Sequence, residues 1–247
     1  MENTAVNSTA TRSAFGQFMA NVYGYMGIGV LITAMVSLFI TNSEGLMAAL
    51  FTVTETTNAD GETMSRMSAG WVFWMAIIAE LAIVVTISFG VSRLRASISW
   101  PLFLVFAVLN GITLTPIIHA YTGENVSLAF FMAVVVFGVA ATYGHVTKRD
   151  ITNLGGVLLV GLISLIVAMV INIFIGSSLM AMGISAIAVI LFTILTAYDV
   201  QKFREMHAAQ YGESEKSLAV FAALSMYLNL VNLFIHILRL LGMSGND

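Results

Sequence analysis

Seven long apolar runs decide what this chain can become. They cover residues 22–40, 70–91, 101–121, 126–146, 154–175, 179–198 and 218–241, each 19 to 24 residues long. A helix rises about 1.5 Å per residue, so each run reaches across the roughly 30 Å hydrocarbon core of a bilayer. None shows the period-two alternation of barrel strands, and backbone inside hydrocarbon must satisfy its own hydrogen bonds. The expected fold is an all-α membrane protein, a bundle of seven transmembrane helices. Composition agrees, with 9% charged residues and a mean hydropathy of +0.94, where soluble domains carry about a quarter charged. Only the connectors 41–69 and 199–217 could hold extra structure. Residues 18–247 therefore read as one transmembrane domain behind a polar N-terminal tail, 1–17.

Charge gives the expected orientation. With the tail inside, the inner segments hold Arg12, Arg93, Arg95, Lys148, Arg149, Lys202, Arg204 and Lys216, and the outer ones only Arg66 and Arg239. Eight against two is a positive-inside bias. An odd number of crossings leaves the C-terminus outside, provided that the last run crosses fully and does not turn back. The first run is too long for a signal-peptide core and no small-residue cleavage pattern follows it, so it reads as uncleaved. The absence of cysteine excludes disulfides, thiolate metal sites and cysteine nucleophiles. A net charge of −3 argues against a nucleic-acid partner.

The last run carries an anomaly. Ser225, Asn229, Asn232 and His236 are spaced 4, 3 and 4 apart, which sets them on one helical face. Lipid cannot satisfy such a stripe, so it should face protein or water, and the last helix should be central in the bundle. Asp199, at the end of the preceding run, is the nearest ionisable group that could face it. Two readings of Asp199 stand side by side. It is either a solvated helix-end residue paired with Lys202 or Arg204, or a titratable gate on which burial and basic neighbours pull in opposite directions. Glu80 lies midway along the second run and should point inward with a partner on another helix, because an unpaired charge there is costly. His119 and His145 sit at run ends and His207 in a connector. None has a second ligand three or four residues away, which speaks against zinc.

No phosphate loop or dinucleotide-binding glycine pattern is present. Gly242-Met243-Ser244-Gly245 has the shape of an intramembrane serine protease motif, but no later helix could supply its base. Tyr198-Asp199 resembles half of an intramembrane aspartyl protease pair, and the last run offers no second acid. The chain is not expected to be an enzyme or to hold a cofactor. Glycines within the runs, such as Gly24, Gly27, Gly29, Gly155, Gly156 and Gly161, fit close helix packing or a hinge.

Five segments in order resemble the Bax inhibitor-1 family (the transmembrane BAX inhibitor motif proteins) in its bacterial inner-membrane branch. They are Val22-Tyr23-Gly24-Tyr25-Met26, Ala79-Glu80-Leu81, Gly144-His145-Val146-Thr147-Lys148-Arg149-Asp150, Thr196-Ala197-Tyr198-Asp199-Val200-Gln201 and Met226-Tyr227-Leu228-Asn229-Leu230-Val231-Asn232-Leu233-Phe234. The resemblance implies a seven-helix fold with the last helix central and a pH-sensitive calcium leak controlled by an aspartate pair. One member of that pair is Asp199. At the other position, in place of the family's aspartate, stands Asn229. An amide cannot share a proton with Asp199, though it can donate to its carboxylate. Asn229 also lies 11 residues past the start of the last run, roughly 16 Å along the axis. Asp199 must therefore sit deeper than the run boundary, or meet Ser225 first.

The expected function is a calcium or cation leak across the inner membrane. Asp199, Ser225, Asn229, Asn232, His236 and Glu80 would form the ion path and gate, with a transient calcium contact at Asp199. The alternative is a non-conducting protein that binds or regulates other membrane proteins, its polar stripe serving to join helices.

Overall fold

A computed structural model describes residues 2–57, 63–90, 93–209 and 213–244, with side chains for 14–51, 70–90, 93–209 and 215–243. Of the protease-like tetrad, Ser244 is described by its backbone alone and Gly245 lies outside the described residues. Helix α1 covers Glu2–Thr41, α2 Glu44–Leu50, α3 Trp71–Gly90, α4 Ala96–His119, α5 Gly123–Val146, α6 Gly155–Ile175, α7 Ser178–Ala208 and α8 Glu213–Ser244. All but α2 are long and apolar enough to cross a membrane. Together they make the seven-helix transmembrane bundle, and the polar stretch 1–17 continues from Glu2 as the helix of the first span. The long first connector adds structure of its own. After α2 come strands β1 (Phe51–Thr57) and β2 (Thr63–Ala69), an antiparallel hairpin paired from Phe51 with Ala69 to Thr57 with Thr63.

Local chemistry sets the ends of several spans. Thr122 caps α5 by accepting the amide of Asn125, and Ser177 caps α7 by accepting that of Met180. Gly176 closes α6 in the left-handed conformation, at φ 68°, and returns its amide to the Asn172 carbonyl at 2.8 Å. Pro116 lies inside α4 and cannot bond the carbonyl one turn back.

The helices differ in what they bury. In α8, 72% of the most apolar window is buried, against 11% to 44% in the other six. It packs on α7, α5, α1 and α4, with a smaller contact to α3, while α6 packs on α7. Outward faces are apolar, with Trp71, Phe89, Ile173, Phe174 and Leu179 among the most exposed side chains. So much exposed hydrocarbon is tolerable only against lipid. The chain is an integral, multi-pass membrane protein.

Candidate functional site

The sixth span does not stop at Tyr198. Helix α7 runs on to Ala208, so Asp199 lies inside a helix and not at its end. Its side chain is 7% exposed and faces α8. One carboxylate oxygen, Oδ2, accepts the Ser225 hydroxyl and the Asn229 amide, each at 2.8 Å. Both donors sit on α8 four residues apart, on one face, and neither is charged. The reading of Asp199 as a solvated residue paired with a base is thereby overturned. Lys202 holds its ammonium over the Tyr198 ring, 5.8 Å from the centroid. Arg204 stacks on Phe15 at 5.2 Å and donates to the His145 carbonyl at 2.6 Å. Among the described residues, the hydrogen bonds to this buried carboxylate come from neutral donors, an arrangement whose stability depends on whether it carries a proton.

The polar stripe on α8 divides. Ser225 and Asn229 meet Asp199, but Asn232 returns its amide to its own helix at the Leu228 carbonyl, 2.7 Å away. His236 is buried and lies 3.3 Å from the Ser185 hydroxyl on α7, stacked against Phe192. Spacing correctly groups these residues on one face, but only Ser225 and Asn229 share a partner, while Asn232 and His236 bond elsewhere.

Glu80 belongs elsewhere. Its carboxylate on α3 accepts the Thr113 hydroxyl at 2.8 Å and the Asn110 amide at 3.3 Å, both from α4. Asn110 in turn accepts the Tyr227 hydroxyl at 2.8 Å, and Tyr227 lies 2.6 Å from the hydroxyl of Thr33 on α1. Tyr227 is two residues from both Ser225 and Asn229, roughly 200° around α8, so the Glu80 chain and the Asp199 site occupy opposite sides of that helix. Expecting one path through both placed them too close. Sequence reading missed Asn110, Thr113, Tyr227 and Thr33. An asparagine and a tyrosine inside apolar spans were a signal, but nothing in the sequence paired α4 with α1.

The Glu80 geometry gives a stability prediction. In Glu80→Gln, the new amide nitrogen can donate to Thr113, whose hydroxyl then turns to the Asn110 carbonyl, already 3.2 Å away. The remaining side-chain oxygen keeps the Asn110 donor, so Glu80→Gln should unfold within a few degrees of the parent protein. Glu80→Leu leaves Thr113 its bond to the Asn110 carbonyl but strands the Asn110 amide donor in the bundle, at about 1–3 kcal/mol, and should lower the unfolding temperature clearly. Thermal unfolding of the two variants in detergent checks this, and equal losses in both would mean that the negative charge itself is needed.

The end of α7 closes over the loop between α5 and α6. Gln201 donates to the Arg149 carbonyl and accepts the Ile151 amide, both at 2.9 Å. In the same loop Asp150 accepts the amide and hydroxyl of Thr152, and these bonds hold its carboxyl below the usual carboxylate range. Asp150 stays ionised from about pH 5 to 8 and supplies no pH response there. His207 is half-buried within α7, not in a connector, and lies 3.2 Å from Glu215. His145 is exposed and stacks on Phe15.

Residues 16–246 match the family described as inhibitor of apoptosis-promoting Bax1. The inner membrane protein YbhL of Escherichia coli K12 is 33% identical over 235 residues, 94% of this chain and 93% of that one. An uncharacterized membrane protein of Streptococcus pyogenes serotype M3 is 35% identical over 242 residues, 97% and 98% of the two chains. A Deinococcus radiodurans protein, also uncharacterized, is 31% identical over 241 residues, 97% and 96% of the two chains. The family match takes in the whole of α7 and α8, and with them the contact of Asp199 with Ser225 and Asn229. The chain belongs to the Bax inhibitor-1 family.

Proposed function

We propose that this protein conducts a slow, pH-sensitive leak of calcium or a similar cation across the bacterial inner membrane, with its N-terminus in the cytoplasm and its C-terminus outside. The observation that carries this reading is the Asp199 carboxylate, buried between the two helices that the family motifs mark and bonded, among the described residues, by the neutral Ser225 and Asn229. A carboxylate with neutral donors attracts a cation when ionised and loses that attraction when protonated, so one group supplies both a cation contact and a pH gate. The oxygen of the Asn229 amide can add a second ligand if the amide turns. The Glu80 chain braces α3, α4, α8 and α1 on the far side of the last helix and lies off this path. Kinship with a named inner membrane protein supports the location, and the eight-to-two distribution of basic residues supports the orientation.

The rival is a protein that acts by binding other membrane proteins and passes no ion. Reconstitution separates the two. Liposomes holding only this protein and a calcium indicator should take up calcium faster than empty ones, with a rate that changes between about pH 5 and 8, where a perturbed acid titrates. Uptake equal to empty liposomes at every pH would sink the leak and leave the rival.

A further inference from the structure

A cavity of about 290 Å³ lies between α1 and α5, backed by α4 and α8. Its mouth is formed by Ala34 and Leu38 on α1 and by Ser127 and Phe130 on α5, all exposed on the outer face of the bundle. Its back wall is Leu114, Leu230, Val231 and Phe234, all buried. The two hydroxyls in the lining have their protons committed. Thr33 gives its one proton to the Ala107 carbonyl at 2.8 Å or to the Tyr227 hydroxyl at 2.6 Å, and Ser127 donates to the Gly123 carbonyl at 2.8 Å. The cavity therefore offers a ligand hydrocarbon walls and no free donor.

We infer that this groove holds one acyl chain of a membrane phospholipid. The mouth is continuous with the lipid-facing surface of a protein that crosses the bilayer, so hydrocarbon is present at the opening at all times. Water gains nothing inside, because a buried water needs two to four polar partners, and apolar cavities of even ~150 Å³ stay dry and take up small hydrocarbons. A single flexible chain fits, and it would fill a void that otherwise leaves its lining without contact on one side. The back of the groove meets the Glu80 chain at Thr33, whose hydroxyl is 2.6 Å from that of Tyr227. The bound chain thus packs against the bracing side of α8, away from Asp199.

The test uses the full chain in vesicles of phosphatidylethanolamine and phosphatidylglycerol that contain a phospholipid with a photoactivatable diazirine partway along one acyl chain. Labelled residues are mapped by peptide mass spectrometry. Bulk lipid reaches outward side chains such as Phe131, so labelling there is the internal reference. The expected result is labelling of Leu230 and Val231 on the back wall as well. Ala34→Phe places a ring in the mouth and should cut labelling at Leu230 and Val231 by about tenfold or more, the penalty for crowding an apolar site, with Phe131 unchanged. Ser127→Leu narrows the same mouth from α5 and should act alike if Ala34→Phe fails to fold. Labelling confined to outward residues, or back-wall labelling that neither substitution reduces, would overturn the proposal. A stable dimer with no back-wall label would also overturn it, because a second copy would then be the cover.

Discussion

Asp199→Asn should fold and abolish the pH dependence of calcium leak between about pH 5 and 8. The folding half follows from geometry. The new amide oxygen still accepts from Ser225 or Asn229, both 2.8 Å from the carboxylate oxygen that it replaces. The flux half follows from charge. Protonation of Asp199 removes its negative charge, so cation attraction falls as pH falls through a single step. An amide in its place has no proton to take up in this range, and the profile flattens at low conductance. Asn229→Asp makes the opposite change. Two carboxylates about 3 Å apart cannot both ionise, so the pair shares one proton and releases it at higher pH than a lone acid would. The profile should move towards neutral pH and show two coupled steps, and adding Asp199→Asn to that background should restore a single step. Calcium flux in liposomes across the pH range measures all four proteins. An unchanged profile in both single variants would remove Asp199 from pH control and reduce its bonds with α8 to helix joining.

Much of this architecture could be read from the chain because membrane insertion is a severe filter. Runs long enough to span hydrocarbon have one regular solution, so seven runs became seven helices. Spacing left Asp199 two ways to meet the last helix, by sitting deeper than the run boundary or by reaching Ser225 first. The structure combines the two: α7 continues past Asp199 to Ala208, which bridges the roughly 16 Å offset to Asn229, and Asp199 meets Ser225 as well. Hydropathy stopped the run at Tyr198 because Asp199, Gln201, Lys202 and Arg204 are polar, yet the first two of these are buried by bonds that hydropathy does not count. The Glu80 chain was hidden for another reason. Threonine in a membrane helix can bond its own backbone, as Thr86 and Thr193 do here, so its presence says little about neighbours. The chain that starts at Glu80 draws its members from α4, α8 and α1, and no periodicity within one helix reveals which helices will meet. The β1–β2 hairpin sits in the one early connector long enough to hold it.

Gly144→Ala should destabilise the bundle at the point where the candidate site is assembled. Helix α5 crosses α7 there, and a Cβ on Gly144 would meet the carbonyl oxygen of Ala197 and lie 2.9 Å from its Cα. Both are backbone atoms, so no side-chain rotation relieves the clash and the helices must part. Overpacking of this kind costs about 1–3 kcal/mol, and the upper part of that range applies where backbone is struck. Ala197 is two residues before Asp199, so a displaced α7 also carries the carboxylate away from Ser225 and Asn229. Gly138 on the same helix supplies the control. It faces outward with open space around its Cβ position, and alanine there gains roughly 0.5–1 kcal/mol from reduced backbone entropy. The two substitutions, chemically identical and nearly two turns apart, should therefore move the unfolding temperature in opposite directions. Gly144→Ala should also distort the pH profile of calcium flux, while Gly138→Ala leaves it as it was. If Gly144→Ala unfolds no earlier than the parent and its flux profile is unaltered, then α5 and α7 can separate without disturbing Asp199, and close packing at this crossing does not hold the site.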